Sequence, residues 1–147
     1  MTYKLSYYNH HFIVSSEESY RLLFKLLGKF SAKKLVVFLS GNIGVGKTTF
    51  VKYYIKNLNS KKNAYSPTFS LINEYNLSNQ KIYHYDLYRL NSYRELEEIG
   101  LDYNLDSSGI HFIEWPNNFI EKLPIPDIHI NFESSEYGTI LSINNGS

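Results

Sequence analysis

Cysteine is absent from this chain of 147 residues, and alanine is confined to Ala32 and Ala64, methionine to Met1 and tryptophan to Trp115. Without cysteine there can be no disulfide scaffold, thiolate metal site, iron–sulfur cluster or thiol nucleophile. Long apolar runs are missing too: nothing approaches the roughly 18 residues of a membrane-spanning helix. The opening MTYKLSYYNH has neither a signal-type apolar core nor an A-x-A-like site, so the chain is expected to be cytoplasmic and free of membrane. An excess of one charge is also lacking. There are 15 Lys plus Arg against 14 Asp plus Glu, for a net charge of +1, and no basic stripe. Neutralising phosphates needs a clustered positive face, so binding to DNA is not expected and any role toward RNA is indirect.

At 43% hydrophobic and 20% charged, the chain lies well outside the disordered range. Its length is enough to bury about two-thirds of the surface exposed by the unfolded chain, and one domain is predicted over 1–147. The 14 tyrosines, alongside abundant Asn, Ile and Lys, point to codon-usage bias more than to a function.

Residues 3–14 read as extended, and Ser15 with Glu18 forms an S-x-x-E capping box opening a helix. Its apolar face is Tyr20, Leu23, Phe24 and Leu27, and Gly28 is placed to end it in the left-handed conformation. Leu35 to Leu39 is an uninterrupted apolar run of the kind buried on both faces of a parallel sheet. A glycine-rich turn follows, then helical spacing at Val51, Tyr54, Ile55 and Leu58. Phe69 to Tyr75 and Ile82 to Leu87 read as strands of a hairpin joined through Asn76 to Lys81. Ser92 and Glu95 form a second capping box for a short helix closed by Gly100. Ile110 to Ile113 is another buried strand, ended by Glu114, Trp115 and Pro116. A short helical stretch and a terminal antiparallel pair, Asp127 to Glu133 and Thr139 to Asn144, complete the chain. The fold class is α/β, with a mixed, mainly parallel central sheet flanked by helices and antiparallel hairpin strands.

Gly41-Asn42-Ile43-Gly44-Val45-Gly46-Lys47-Thr48 satisfies G-x-x-x-x-G-K-[ST] between a buried strand and a helix. Glycines allow positive φ and close approach, so successive amide hydrogens converge on an anion at a helix N-terminus. In such a loop Lys47 reaches the β/γ-phosphates and the Thr48 hydroxyl ligates Mg²⁺. A carboxylate at the end of a neighbouring strand is needed for the metal shell or the attacking water. Glu114, after Ile110 to Ile113, and Asp86, on Ile82 to Leu87, compete for that role. Ser66-Pro67-Thr68-Phe69 lies where nucleotide-dependent switch segments occur, although a plain turn before a strand would look the same.

His84 shares a strand face with Ile82 and Asp86, a position more often filled by a packed core histidine than by a catalyst. Arg89 can pair with Asp86 or a phosphate, the ordinary ion pair being the commoner outcome. Trp115 can stack on a base, belong to a partner surface or pack in the core. His10 and His11 lack further ligands at metal spacing and are assigned no site.

The segments GNIGVGKTTFV, SPTFSLINEY, HYDLYRL, EEIGL and IEWP, in this order and spacing, resemble the TsaE (YjeE) family, small P-loop ATPases of bacterial tRNA threonylcarbamoyladenosine synthesis. The resemblance runs from about Ser15 to the strand after Pro126. It implies a P-loop NTPase fold, ATP and Mg²⁺ as cofactors, slow hydrolysis, and TsaD- and TsaB-type partners that modify N6 of adenosine 37 in tRNA. It also implies that Gly41 to Thr49 form the phosphate loop, that Thr48 and Glu114 are metal ligands, and that Ser66, Pro67 and Thr68 belong to a switch. Asp86 becomes a water-activating or metal-shell carboxylate, its division of roles with Glu114 left open. Lys47, Asp86 and Glu114 are thus the expected catalytic set. The family loop commonly reads Leu-Gly-Ala-Gly-Lys where this chain has Ile43-Gly44-Val45-Gly46-Lys47, a change that keeps the phosphate-binding groups. A small-molecule kinase on the same loop, and a nucleotide-binding scaffold without useful hydrolysis, are the competing functions.

Overall fold

The structure, a computed structural model, describes residues 10–29, 33–59, 61–67, 70–77 and 79–145. Residues 3–9 of the predicted extended stretch, Thr68 and Phe69 lie outside them. Strands β1 (His10–Val14), β2 (Lys34–Gly41), β3 (Ile72–Leu77), β4 (Gln80–Asp86), β5 (Gly109–Glu114), β6 (Ile128–Ser135) and β7 (Gly138–Asn145) form a sheet in the order β1-β7-β6-β2-β5-β4-β3. β6, β2, β5 and β4 pair in parallel at its centre, and β7, β1 and β3 add antiparallel edges. β2 and β5 are the apolar runs that the sequence marks as buried, and both are covered on two faces.

One face carries α1 (Arg21–Gly28) and α2 (Lys47–Leu58), and the other α3 (Tyr93–Glu98) and α4 (Leu101–Leu105). Beneath α1 and α2 an aromatic cluster of Phe24, Phe50, Tyr54 and Phe112 packs edge to face, with ring centroids 5.4–5.9 Å apart. Such pairs add roughly 0.5–1.5 kcal/mol each beyond their buried area. Several tyrosines serve as core aromatics with a bonded hydroxyl, a structural use that composition did not reveal. Tyr54 donates to Gln80 Oε1 at 2.8 Å, and burial pushes its phenol up to about 12.

The capping signals had mixed outcomes. Ser92 and Glu95 form the reciprocal box, and Gly100, at φ +73°, separates α3 from α4. Ser15 and Glu18 do not form one. Glu17–Tyr20 is a 3₁₀ turn whose N-cap is Ser16, and Glu18 pairs with Arg21 at 3.1 Å instead of reaching back. Gly28 stays within α1, and Lys29 caps that helix in the right-handed region. No steric demand acts at Gly28, since a Cβ there would meet nothing within 4 Å. Most of the stretch read as a polar connection, Asn76 to Lys81, belongs to the ladder: Asn76 pairs with Lys81 and Leu77 with Gln80. Pro116–Lys122 is 3₁₀ in character. Of the two adjacent histidines, His11 Nδ1 lies 2.9 Å from Ser142 Oγ, and the side chain of His10 falls outside the described atoms.

His111 is buried on β5, with Nε2–H donating to the Ser107 carbonyl at 2.9 Å and Nδ1 accepting from the Tyr85 hydroxyl at 2.9 Å. Burial holds its pKa below the ordinary 6.5, against a weaker opposing effect of the Ser107 bond. Burial moves His129 in the same direction. The unfolded chain therefore takes up protons first, and the stability held above about pH 6.5 is lost as pH falls toward the folded-state values. The urea midpoint is expected to drop between pH 7 and 5, and the drop to shrink in His111→Phe.

Candidate functional site

β2 delivers the chain to the carboxyl edge of the parallel strands, where crevices form in open α/β sheets. Gly41, Gly44 and Gly46 all have positive φ, at +147°, +76° and +113°, and Gly46 is the N-cap of α2. The turn can therefore fold back onto a helix N-terminus with its amides exposed to an anion. Val45 is buried in the core and anchors the loop, whereas Ile43 is exposed at its tip. A Cβ at Gly41 would lie 2.6 Å from the Phe132 carbonyl oxygen and 3.0 Å from Val45 Cγ1. Gly41→Ala is expected to cost about 1–3 kcal/mol from backbone conformation, with the clash added to it, and to lower the thermal midpoint accordingly.

Lys47 opens α2 and is only 4% exposed. Its Nζ donates to the carbonyls of Gly41 at 2.5 Å and Asn42 at 2.9 Å, and lies 4.1 Å from the centre of the Trp115 ring. Burial lowers its pKa, with Glu114 and Asp86 pulling the other way. Thr48, one residue on, donates its hydroxyl to Glu114 Oε1 at 2.7 Å. Thr49 lines the same cavity.

The carboxylates come from the ends of β4 and β5, where the parallel register sets Asp86 directly beside Glu114. Glu114 is 3% exposed, and its Oε1 also lies 2.7 Å from Nε2 of the buried His84. Asp86 Oδ1 accepts from the Tyr88 amide at 3.1 Å. Burial is the main influence that raises the Asp86 pKa, with neighbouring Glu114 adding to it; the Tyr88 bond, His84 and Lys47 oppose. These groups surround a cavity of about 330 Å³ whose wall also includes Tyr88, Arg89 and Trp115. Its mouth offers a hydroxyl, two carboxylates, backbone amides and the Lys47 ammonium. Hard oxygen donors with net negative charge suit Mg²⁺, and the amides and ammonium suit a polyphosphate. A second cavity, of about 140 Å³, lies between β1, α1 and β7 and has an almost wholly apolar lining, with no chemistry for phosphate.

Trp115 itself sits at φ +60°, an uncommon region for a large side chain, with its ring 4.7 Å from that of Tyr88. It therefore packs on the phosphate-loop lysine and on a tyrosine. Ser66 and Pro67 do not line the cavity, and Thr68 lies outside the described residues. The segment is nevertheless tied to the site through the backbone. Leu71 N–H donates to the Pro67 carbonyl at 2.6 Å, and the Leu71 carbonyl accepts from Asp86 N–H at 3.0 Å.

Residues 14–140 match the family model described as Threonylcarbamoyl adenosine biosynthesis protein TsaE. This chain belongs to the TsaE family. It is 37% identical over 108 residues to the tRNA threonylcarbamoyladenosine biosynthesis protein TsaE of Haemophilus influenzae, covering 74% of this chain and 68% of that one. To the TsaE of Rickettsia felis it is 40% identical over 122 residues, covering 82% and 71%. The crystal structure of Bacillus subtilis YdiB superposes with a TM-score of 0.73 at 25% identity, over 95% of this chain and 87% of the other. A P-loop fold with a mixed sheet, and membership of a family that acts in threonylcarbamoyladenosine biosynthesis, are thus established. Among the described residues, no helix is long and apolar enough to cross a membrane.

Within this site, sequence reading missed the contacts of His84 with Glu114 and of Trp115 with both Lys47 and Tyr88. His84 on Glu114 was traceable in principle, because alternation puts His84 and Asp86 on one face of β4 and the parallel neighbour brings Glu114 beside them. Tyr88 on Trp115 had no sequence signal.

Proposed function

We propose that this chain binds ATP with Mg²⁺ and hydrolyses it slowly in the cytoplasm, and that its nucleotide state switches its affinity for a complex of TsaD- and TsaB-type proteins. That complex places threonylcarbamoyl on N6 of adenosine 37 in tRNA, and this chain does not itself touch the tRNA. The observation that carries the reading is the Thr48–Glu114 contact at the end of a glycine loop, with Asp86 beside it.

The loop amides and Lys47 bind the phosphates, while Thr48 and Glu114 hold the metal. When bound, Mg²⁺ neutralises charge developing on the β- and γ-oxygens. Glu114 Oε1 already receives two hydrogens, from Thr48 and His84, and is held in place by them. Asp86 has a carboxyl made more basic by burial and is the better proton acceptor for water. The water oxygen bonds to the γ-phosphorus as the bond to the β–γ bridging oxygen breaks, and Asp86 takes the water proton. Ser66, Pro67 and Thr68 respond to the γ-phosphate, and the Leu71–Asp86 backbone bond supports communication between that segment and the site.

The test is reconstitution with purified TsaD- and TsaB-type proteins, tRNA and γ-labelled ATP. Inorganic phosphate release, together with modified adenosine accumulating over many cycles only when this chain is present, is the expected result. Label in an organic product would favour a kinase. Sustained modification without phosphate release would favour a nucleotide-binding scaffold.

A further inference from the structure

His84 is 1% exposed and, two residues from Ile82 on β4, shares the strand face that packs in the core with α2. A histidine that only filled space there would be replaceable by an apolar ring, yet its Nε2 is 2.7 Å from Oε1 of Glu114, a carboxylate itself 3% exposed. A buried carboxylate without hydrogen-bond donors is costly, and a carboxylate with a single donor can turn about that bond. Glu114 has two donors on one oxygen. Thr48 Oγ1 reaches it from α2 and His84 Nε2 from β4, so the carboxylate is clamped between two elements. The clamp leaves Lys47 bonded to the loop carbonyls of Gly41 and Asn42, with its charge still available to phosphate. A released Glu114 has an obvious alternative in the ammonium of Lys47, to which it is electrostatically coupled.

We infer that His84 is a positioning residue: by donating from Nε2 to Glu114 Oε1 it holds that carboxylate on Thr48 in the orientation that receives the metal and keeps it off Lys47. The inference rests on the nucleotide reading above and adds a residue to it. Groups that orient a metal-binding carboxylate typically matter by 10–100-fold in metal affinity or activity.

The experiment measures ATP binding calorimetrically to wild type, His84→Leu and His84→Gln, once with excess Mg²⁺ and once with EDTA, with thermal melting as the folding control. Glutamine places an amide N–H near the position of Nε2, and leucine does not. His84→Leu is expected to bind Mg²⁺-ATP at least 10-fold more weakly, with metal-free ATP within about 2-fold of wild type, and His84→Gln to recover most of the loss. In turnover the defect should appear as a higher KM for Mg²⁺-ATP and a lower kcat, both largely recovered in His84→Gln. Equal losses with and without Mg²⁺, or wild-type binding in His84→Leu, would overturn the positioning role. If His84→Leu does not melt cooperatively, His84→Asn, whose amide is too short to reach Oε1, takes its place under the same criteria. A wild-type protein that binds no ATP in either condition overturns the nucleotide reading itself, a result distinct from any difference among the variants.

Discussion

Replacing Lys47 with alanine is expected to weaken ATP binding by about 100-fold and to remove measurable hydrolysis. Lys47 is held at the N-terminus of α2 with its Nζ already in contact with two loop carbonyls, so it is positioned before any ligand arrives. A hydrogen bond to a charged partner contributes about 1.5–3 kcal/mol, and losing two of the weaker kind amounts to about 3 kcal/mol, or two decades in the dissociation constant. The variant should fold. Burial disfavours the charged form of this lysine, so removing it eliminates a desolvation cost along with its contacts. Lys47→Arg should not rescue, because a longer, planar guanidinium does not reproduce the point-charge contacts that Nζ makes with the Gly41 and Asn42 carbonyls. Calorimetric titration with Mg²⁺-ATP and a phosphate-release assay decide the matter; wild-type values in both would refute the phosphate-loop role.

Asp86→Asn is expected to separate binding from chemistry. Turnover should fall by about 10²–10⁴-fold, the usual contribution of a positioned base, with ATP affinity unchanged or improved. Affinity can improve because Asp86 lies directly beside Glu114 in the register, and removing one of two adjacent negative charges favours a polyphosphate. Stability should move the other way from activity. Burial raises the Asp86 pKa above its ordinary 3.8, so the native state binds its proton more tightly than the unfolded chain does. Stability from that group is present at low pH and is lost as pH rises through the folded-state value, leaving a cost at neutral pH that asparagine avoids. A higher thermal midpoint at pH 7 with hydrolysis lost is the expected pair of results. In the wild type, hydrolysis should rise with pH as Asp86 ionises, with its acid limb displaced upward from the ordinary 3.8 of an aspartate. A variant that still hydrolyses ATP at the wild-type rate would move the base elsewhere.

The features legible in the chain were those whose energetics are local. Buried runs at Leu35 to Leu39 and Ile110 to Ile113, the glycine loop, the helical spacing after it, the Ser92–Glu95 box and Gly100 all became what the residues announced. Each is decided by backbone sterics or by hydrogen bonds spanning a few residues. The Ser15–Glu18 pattern had the same local form and failed: the turn there is 3₁₀ with Ser16 as its N-cap, and Glu18 pairs with Arg21. Thr48 and Glu114 were paired beforehand by family resemblance; their contact spans 66 positions, and that of His84 with Glu114 spans 30. No local preference encodes such meetings. They follow from which strands become neighbours and in what register, since a shift of one residue between β4 and β5 would turn Asp86 and His84 away from Glu114. Residue types thus supplied the inventory of the site, whereas the pairing of β2, β5 and β4, fixed by burial of the whole sheet, determined which of those groups share an oxygen.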